Sequence, residues 1–370
     1  MPAKFARYIF HVLPVLVGKA SHHPDLDRVL LWDDSIAALE QRRLPMLMLG
    51  SDWREVDSYL RLRPEQFDTL AHLLNQRQAW IGSWYWTPHS SDTVEQLVRN
   101  LLLGRRSAGV FGVVEEVGLA GLPEHDVVLP ALAAGFGFRY VYRLGGGVSM
   151  QVVGVDGFPM NCMEMVADPV RWRATEAGDS QHMAVAVYGR PFAIIEQIQQ
   201  WRATLPHDDF LITNPTTLGA IQPSQIVTPH QPAVWGVYWG VEAAYAQMVT
   251  EGQTPTVPFL ALQQAYHDVE MRAALETILQ TEQASLIETT HSFHITAIKP
   301  REDGAVGVIV RGVNLSDERI EVTLRLWRRF EHCAVVRLDE RPTGGTLPIE
   351  TDGTIQFMAA PSRLLTLWLY

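Results

Sequence analysis

Short apolar runs alternate with stretches of helical periodicity through the first two thirds of the chain, and then the texture changes. Residues 8–17 are apolar and β-branched, too few for a membrane helix, and predict a buried strand. Leu26, Val29, Leu30, Ile36, Ala37 and Leu39 mark the apolar side of a helix over 25–41. Strands follow at 45–50 (PMLMLG) and 79–86 (AWIGSWYW), with helices at 54–60 and 64–75 between them and Pro64 suited to a first turn. A helix over 93–104, ended by Gly104 or Gly109, leads to strands at 113–119 and 140–144 with a helix at 127–134 between them. MQVVGV (150–155), HMAVAVYG (182–189) and DFLITN (209–214) add strands, and 192–204 adds a helix.

Alternation of this kind predicts a mostly parallel sheet sheathed by helices, either open or closed into a barrel. Residues 259–282, rich in Ala, Leu, Gln and Glu, read as one long helix. From 284 on, VGVIVRGVN, IEVTLRLW, CAVVRLD, TIQFMAA and LLTLWLY alternate at period two, with turns at NLSDE, ERPTGG and TDG. The expected organisation is an α/β region over 1–253, a helical connector over 254–283 and an antiparallel β-sandwich over 284–370.

Composition narrows the function classes. Of 370 residues, 47% are hydrophobic and 19% charged, enough for a real core. Thirty basic against 41 acidic residues give a net charge of −11, which argues against nucleic acid or an anionic membrane as partner. Cys162 and Cys333 are too far apart for a disulfide framework or a local thiolate metal site and read as packed thiols. The opening FARYIFHVLPVLVGKA holds His11 and Pro14 and no small-x-small cleavage signal, so a core strand and a cytoplasmic location are expected.

Five passages then carry a resemblance. In order they are GSDWREVDSYLRLRPE (50–65), IGSWYWTP with EQLVRNLLLG (81–88 and 95–104), LPALAAGFGFRYVYR (129–143), VGVDG (153–157) and ITAIKPREDGAVGVIVRGVNLSDERIEVTL (295–324). They resemble glycoside hydrolase family 38, the retaining α-mannosidases. That family has a strand ending in Gly-x-Trp-Tyr, a helix reading Glu-Ser-Leu-Ile-Arg-Asn-Leu-Leu-Leu-Gly, and a helix and strand ending in arginine. A Pro-Asp-Gly turn follows, and its last β domain opens on Ser-Ala-Leu-Lys-Pro-x-Glu-Asp-Gly. The resemblance covers about 11–157 and 285–370 and is silent over 168–283. It implies a seven-stranded β/α barrel before the β-sandwich, in a chain divergent from the family's enzymes and much shorter.

The departures concern chemistry. The family's first strand carries His-x-His-Trp-Asp-x-x-Trp, which holds zinc. Here the strand starts alike at His11–Pro14, but the ligand positions fall on 15–19, where Val15, Leu16, Val17 and Gly18 have no lone pair to donate. The nucleophile position of Pro-Asp-x-Phe-Gly-His falls on Gly121 in AGLPEH, with His125 on the final His. Retaining hydrolysis needs two carboxyl groups about 5 Å apart, and glycine supplies none. No confident catalytic residue and no zinc cofactor are therefore expected.

Displaced groups are the alternative. Glu124 and Asp126 follow the lost nucleophile position three and five residues on, and either of them with Asp156 would make an active hydrolase on α-mannosides. His22, His23, Asp25 and Asp27 would make a moved metal site, or else cap the first helix. Trp84 and Trp86, sent to one side by alternation with Tyr85 to the other, would make a platform for a sugar ring, or else pack in the core. Arg143 and Asp156 match family positions near the pocket rim, or else hold two loops together as an Arg–carboxylate pair; with His125, and with His89 where the family tends to carry an acidic residue, they complete the expected carbohydrate-binding set. His291 and His294 alternate across a predicted strand and make a poor metal pair. VYRLGGG lacks the spacing of a phosphate loop, and the aromatic stretch at 236–249 reads as core. The resulting expectation is a non-catalytic carbohydrate-binding or scaffolding homologue for mannoside-type ligands, open to a protein partner or homo-oligomerisation.

Overall fold

A computed structural model describes residues 8–16, 26–90, 92–113, 117–145, 149–154, 156–175, 182–218, 225–227, 238–239, 287–326 and 328–370. The expected 259–282 helix, positions 17–19 and His22, His23 and Asp25 lie outside the described residues.

The α/β region runs β1 (Ile9–Leu16), α1 (Leu26–Glu40), β2 (Leu47–Asp52), α2 (Trp53–Leu62), α3 (Phe67–Asn75), β3 (Ala79–Trp84) and α4 (Val94–Val110). Next come β4 (Gly118–Ala120), α5 (Leu129–Phe136), β5 (Tyr140–Leu144), β6 (Ser149–Val153) and β7 (Pro159–Met165). The region continues with α6 (Pro169–Thr175), β8 (His182–Gly189), α7 (Pro191–Thr204), β9 (Asp209–Ile212), α8 (Pro215–Leu218), β10 (Gln225–Val227) and β11 (Tyr238–Trp239). β3, β2, β1 and β8 form a parallel sheet in that order, with β9 also on β1. The second sheet has the order β10-β6-β7-β5-β4 and is parallel except for the β6–β7 pair. β7 escaped the hydrophobic pattern because PMNCMEM contains no β-branched residue.

The two sheets share one interior. Leu13, Met48, Tyr140, Tyr142, Met163, Met165, Ala184 and Ala186 form a single buried cluster, with Trp80 and Ala120 packed against it. Period-two alternation turns these side chains inward and sends Phe10, Val12, Ile81, Val185 and Val187 out against α1, α2, α3 and α7. At one seam the backbone joins the sheets: Val166 N–H donates to the Ala184 carbonyl and Ala186 N–H to the Val166 carbonyl, both at 3.0 Å. At the other, the Ser83 hydroxyl donates to the Gly118 carbonyl (3.2 Å) and the Trp84 indole to the Ala120 carbonyl (2.8 Å). The expected seven-stranded barrel is thus not one unbroken ladder among the described residues.

Thr93 and Gln96 start α4 with a reciprocal capping box. The helix does not stop at Gly104 or Gly109 but runs to Val110. Gly104 serves close approach instead, because a Cβ there would run into the Ser83 carbonyl and lie 2.9 Å from the Trp84 carbonyl carbon.

The sandwich holds β12 (Ile287–Thr289), β13 (Phe293–Pro300), β14 (Val308–Asn314), β15 (Ile320–Leu326), β16 (Cys333–Val336), β17 (Pro342–Leu347), β18 (Thr354–Ala359) and β19 (Leu364–Leu369). One sheet has the order β11-β13-β14-β19-β16-β17 and the other β12-β15-β18. Phe293, Ile298, Val310, Val322, Leu324, Ile355 and Leu367 fill the space between them. β11, from upstream of position 254, pairs parallel with β13 on the sheet's edge. ERPTGG is not simply a turn: Pro342–Leu347 makes the exposed edge strand β17. His291 sits in the turn before β13, so it does not share a strand with His294.

Candidate functional site

Ligands of α/β folds lie at the C-terminal ends of the strands, so that end is where the candidate residues must be judged. Asp52 closes β2 and is buried. One carboxylate oxygen accepts the Glu55 N–H that opens α2, and the other accepts the Thr87 N–H and hydroxyl, both at 2.9 Å. Its acceptor capacity is committed to joining two loops.

Beyond β3 the backbone is tied to α4. Asn100 Oδ1 accepts the Tyr85 and Trp86 N–H groups at 2.8 and 3.1 Å, and Asn100 Nδ2 donates to the Trp86 carbonyl at 2.8 Å. Trp84, Tyr85 and Trp86 are 1%, 7% and 6% exposed, so none offers a sugar a free ring face. Trp84 packs into the cluster of α4 and α5, while Trp86 joins Tyr85 in the cluster of α1, α2 and α3. The alternation expected of them fails because the strand ends at Trp84. The Tyr85 hydroxyl donates to Asp57 at 2.9 Å. His89 is exposed, and its N–H donates to Asp92.

At the end of β4, the Gly121 N–H donates to the Tyr142 carbonyl at 2.8 Å. A Cβ at this position would lie 2.5 Å from Val141 Cγ1 and 2.9 Å from Leu129 Cδ1. A carboxylate there would start out into α5 packing. Glu124 is exposed in the 3₁₀ turn Pro123–His125. His125 is 4% exposed, and neither ring nitrogen reaches a hydrogen-bond partner among the described residues. Burial holds its imidazole below the ordinary range, against the pull of Asp92 and Glu124.

Arg143 is the hub of what remains. Its guanidinium pairs with Asp126 and, through Nε and Nη2, with Glu164 Oε1 at 3.1 and 2.9 Å. Burial is the largest influence on Asp126 and leaves its carboxyl above the usual range despite the arginine. Asp156 stands apart, in the turn before β7, accepting the Phe158 N–H. Sequence reasoning missed Glu164; its one signal was a lone charge inside the apolar run MNCMEM.

The zinc that the resemblance implies finds no ligands at the described end of β1. Val15 and Leu16 offer only hydrocarbon. His11, earlier on the strand, is buried with Nε2 2.9 Å from His182 Nδ1 and Nδ1 3.3 Å from the Thr213 hydroxyl. Among the described residues no three His, Cys, Asp or Glu side chains gather as a metal-binding group.

Residues 292–364 match the C-terminal β-sandwich domain of glycosyl hydrolases family 38. Over those residues the chain is similar to family 38. Similar solved structures are an α-mannosidase from Enterococcus faecalis V583 (12% identity, TM-score 0.50) and a family 38 protein from Enterococcus faecalis (12%, 0.49). Each likeness covers 98% of this chain and 54% of the other, so the chain spans about half the length of these relatives. No curated protein matches the sequence. At such identity the structural likeness speaks for the fold alone.

The passages that carry the family-38-like character do structural work here. Glu95 Oε1 accepts Arg311 Nη1 from β14 at 2.6 Å and Arg99 Nε at 3.1 Å, all three side chains at most 2% exposed. Lys299 Nζ donates to Glu340 at 2.6 Å and Glu302 at 3.2 Å. Asn314 donates to the Ala359 carbonyl, and Arg311 also reaches the Thr366 hydroxyl. Among the described residues no helix is long and apolar enough to cross a membrane.

Proposed function

We propose that this protein is a non-catalytic relative of the α-mannosidases, keeping the family's architecture as a carbohydrate-binding or scaffolding body. One observation carries the proposal: the position of the missing nucleophile, Gly121, faces Val141 and Leu129, and the nearby carboxylates Asp126 and Glu164 both serve Arg143. A retaining mechanism needs one free carboxylate nucleophile and one carboxylic acid. An arginine shared by both occupies their oxygens and fixes their orientation. The inward side chains of both sheets support a closed seven-stranded barrel as the full architecture, and the aliphatic end of β1 supports a protein that works without zinc. Ligands fitting this reading are mannoside-type glycans that contact His89, Glu124 and the Arg143 group; the protein is taken as cytoplasmic.

The second reading, a hydrolase using displaced carboxylates, draws on the raised carboxyl of Asp126, a property suited to a general acid. Purified protein, loaded with zinc and freed of excess, separates the two. The expected result is no tightly held zinc and no turnover of an aryl α-mannoside, together with a rise in melting temperature on some member of a mannoside panel. Turnover that Asp126→Asn or Glu124→Gln abolishes would overturn it.

A further inference from the structure

Where α4 meets the sandwich lies an open cleft of about 340 Å³, lined by none of the strand-end residues discussed above. Four guanidinium groups line it: Arg105 and Arg106 from α4, Arg301 and Arg341 from the sandwich. A volume of this size is within the range of small-molecule sites.

The carboxylates of the region are already engaged. Asp339 pairs with Arg105, with Arg337 at 3.1 Å and with Arg341 at 3.6 Å. Glu340 accepts Lys299 Nζ and the Glu302 N–H, both at 2.6 Å. Glu302 is shared between Lys299 and, at 3.8 Å, Arg106, while Asp303 pairs with Arg301 at 3.0 Å. The lining itself is balanced, four arginines against four carboxylates; Lys299 and Arg337, which pair with Glu302 and Asp339 from outside it, give the ion-pair network six cations on four carboxylates, an excess of two positive charges. The chain as a whole carries −11, so this excess is local and opposite in sign.

Two of the guanidinium groups are also held in place. Arg301 lies 4.1 Å over the Trp368 ring, which stacks on Tyr370 at 4.1 Å. Its Nε is buried and without a hydrogen-bond partner among the described residues. Arg105 is anchored by Asp339 and donates to the Phe136 carbonyl at 2.6 Å. A ligand would meet these donors already oriented, which lowers the entropy lost on binding.

We infer that this cleft binds a small ligand carrying a phosphate monoester. Guanidinium forks match the oxygens of phosphate, and a monoester carries about −1.5 to −2 at neutral pH, close to the local excess. The site is separate from the strand-end group and does not rest on its carbohydrate reading.

Calorimetric titration of the full chain with a hexose 6-phosphate, inorganic phosphate and the unphosphorylated hexose tests this. The expected result is binding of one or both phosphates, weakened by salt, and no binding of the neutral sugar. Tighter binding of the sugar phosphate would assign the ester as ligand; equal binding would assign the phosphate group alone, within the same class. Arg106→Gln and Arg341→Gln, whose side chains are 62% and 45% exposed and so remote from folding, should each weaken binding by roughly tenfold. Arg301→Met should weaken it further. No heat with either phosphate, equal binding of the neutral hexose, or unaltered affinity in Arg106→Gln/Arg341→Gln would overturn the assignment.

Discussion

The strand ends of the α/β region and the seam between α4 and the sandwich are built on opposite chemistry. At the strand ends three large aromatics are buried, Asp52 is committed to two loops, and Asp126 and Glu164 are committed to Arg143. At the seam Glu95, Arg99, Arg311, Lys299 and Glu340 are buried charges, every one in an ion pair. Both regions contain residues that resemble family 38, and in both they meet one another: at the strand ends Asn100 holds Tyr85 and Trp86, and at the seam the contacts are between charges. Glu95 and Arg99 from EQLVRNLLLG meet Arg311 from VIVRGVN. Joining α4 to the sandwich is enough to give those residues a role without catalysis.

The sharpest way to break this comparison is to remove the seam's central carboxylate. Glu95→Gln leaves Arg99 and Arg311 buried without their shared anion, and removing one partner of a buried pair costs about 3–5 kcal/mol. Chemical denaturation should show that loss, and a double variant with Arg311→Met should recover part of it. A loss under about 1 kcal/mol, typical of an exposed pair, would mean the seam holds nothing together.

At the strand ends the corresponding group is Asn100. Asn100→Leu strips the Tyr85 and Trp86 N–H groups of a shared acceptor and the Trp86 carbonyl of a donor. Buried unsatisfied groups of this kind lose roughly 1–3 kcal/mol, so about 2–3 kcal/mol is expected for the variant in the same assay. Gly121→Asp asks the chemical question at that end. The added side chain meets Val141 and Leu129, so it should lower stability by about 1–3 kcal/mol and restore no turnover of an aryl α-mannoside. Activity in this variant would show that the pocket is intact and only the nucleophile is missing.

Legibility in the sequence followed the same divide. β15 and α7 were readable because their periodicity is set by one buried face each, and β1 and β14 because burial on both faces leaves a short apolar run. β7 was not, since methionine, asparagine and cysteine fill a sheet as well as β-branched residues do but leave no β signature. β17 was hidden as an exposed edge with no apolar alternation to reveal it. The losses at Gly121 and Val15–Leu16 were visible as missing residue types, whereas the pairing of Arg143 with Glu164 depends on strand register, which residue spacing does not encode. Trp84 and Trp86 misled for a related reason: alternation assigns a side only while the strand lasts, and it ends at Trp84.

The smallest expected effect is also the one that separates the two regions by pH. His11 and His125 are buried with imidazoles below their ordinary range, chiefly through desolvation and for His11 also through His182. A group whose folded pKa lies below its unfolded value binds more protons when unfolded, so the stability it permits is present above pH ~6.5 and lost as pH falls from there. Glu340 at the seam works in a lower window. Burial alone would raise it, but Lys299, the Glu302 N–H and Arg311 outweigh burial and hold it below the usual carboxylate range. Its stabilisation is therefore present above about pH 4.5 and lost as pH falls further. Near-ultraviolet circular dichroism during acid titration should show a shallow loss beginning near pH 6.5 and a second below the carboxylate range. Asp92, raised by burial, gains protons on folding and pulls against the first limb, so His125→Asn is the variant that isolates the imidazole's share. That variant should flatten the first limb and spare the second; Glu340→Gln should lower stability at neutral pH and abolish the second. A single limb, indifferent to His125, would show that the strand ends and the seam unfold on one common set of charges.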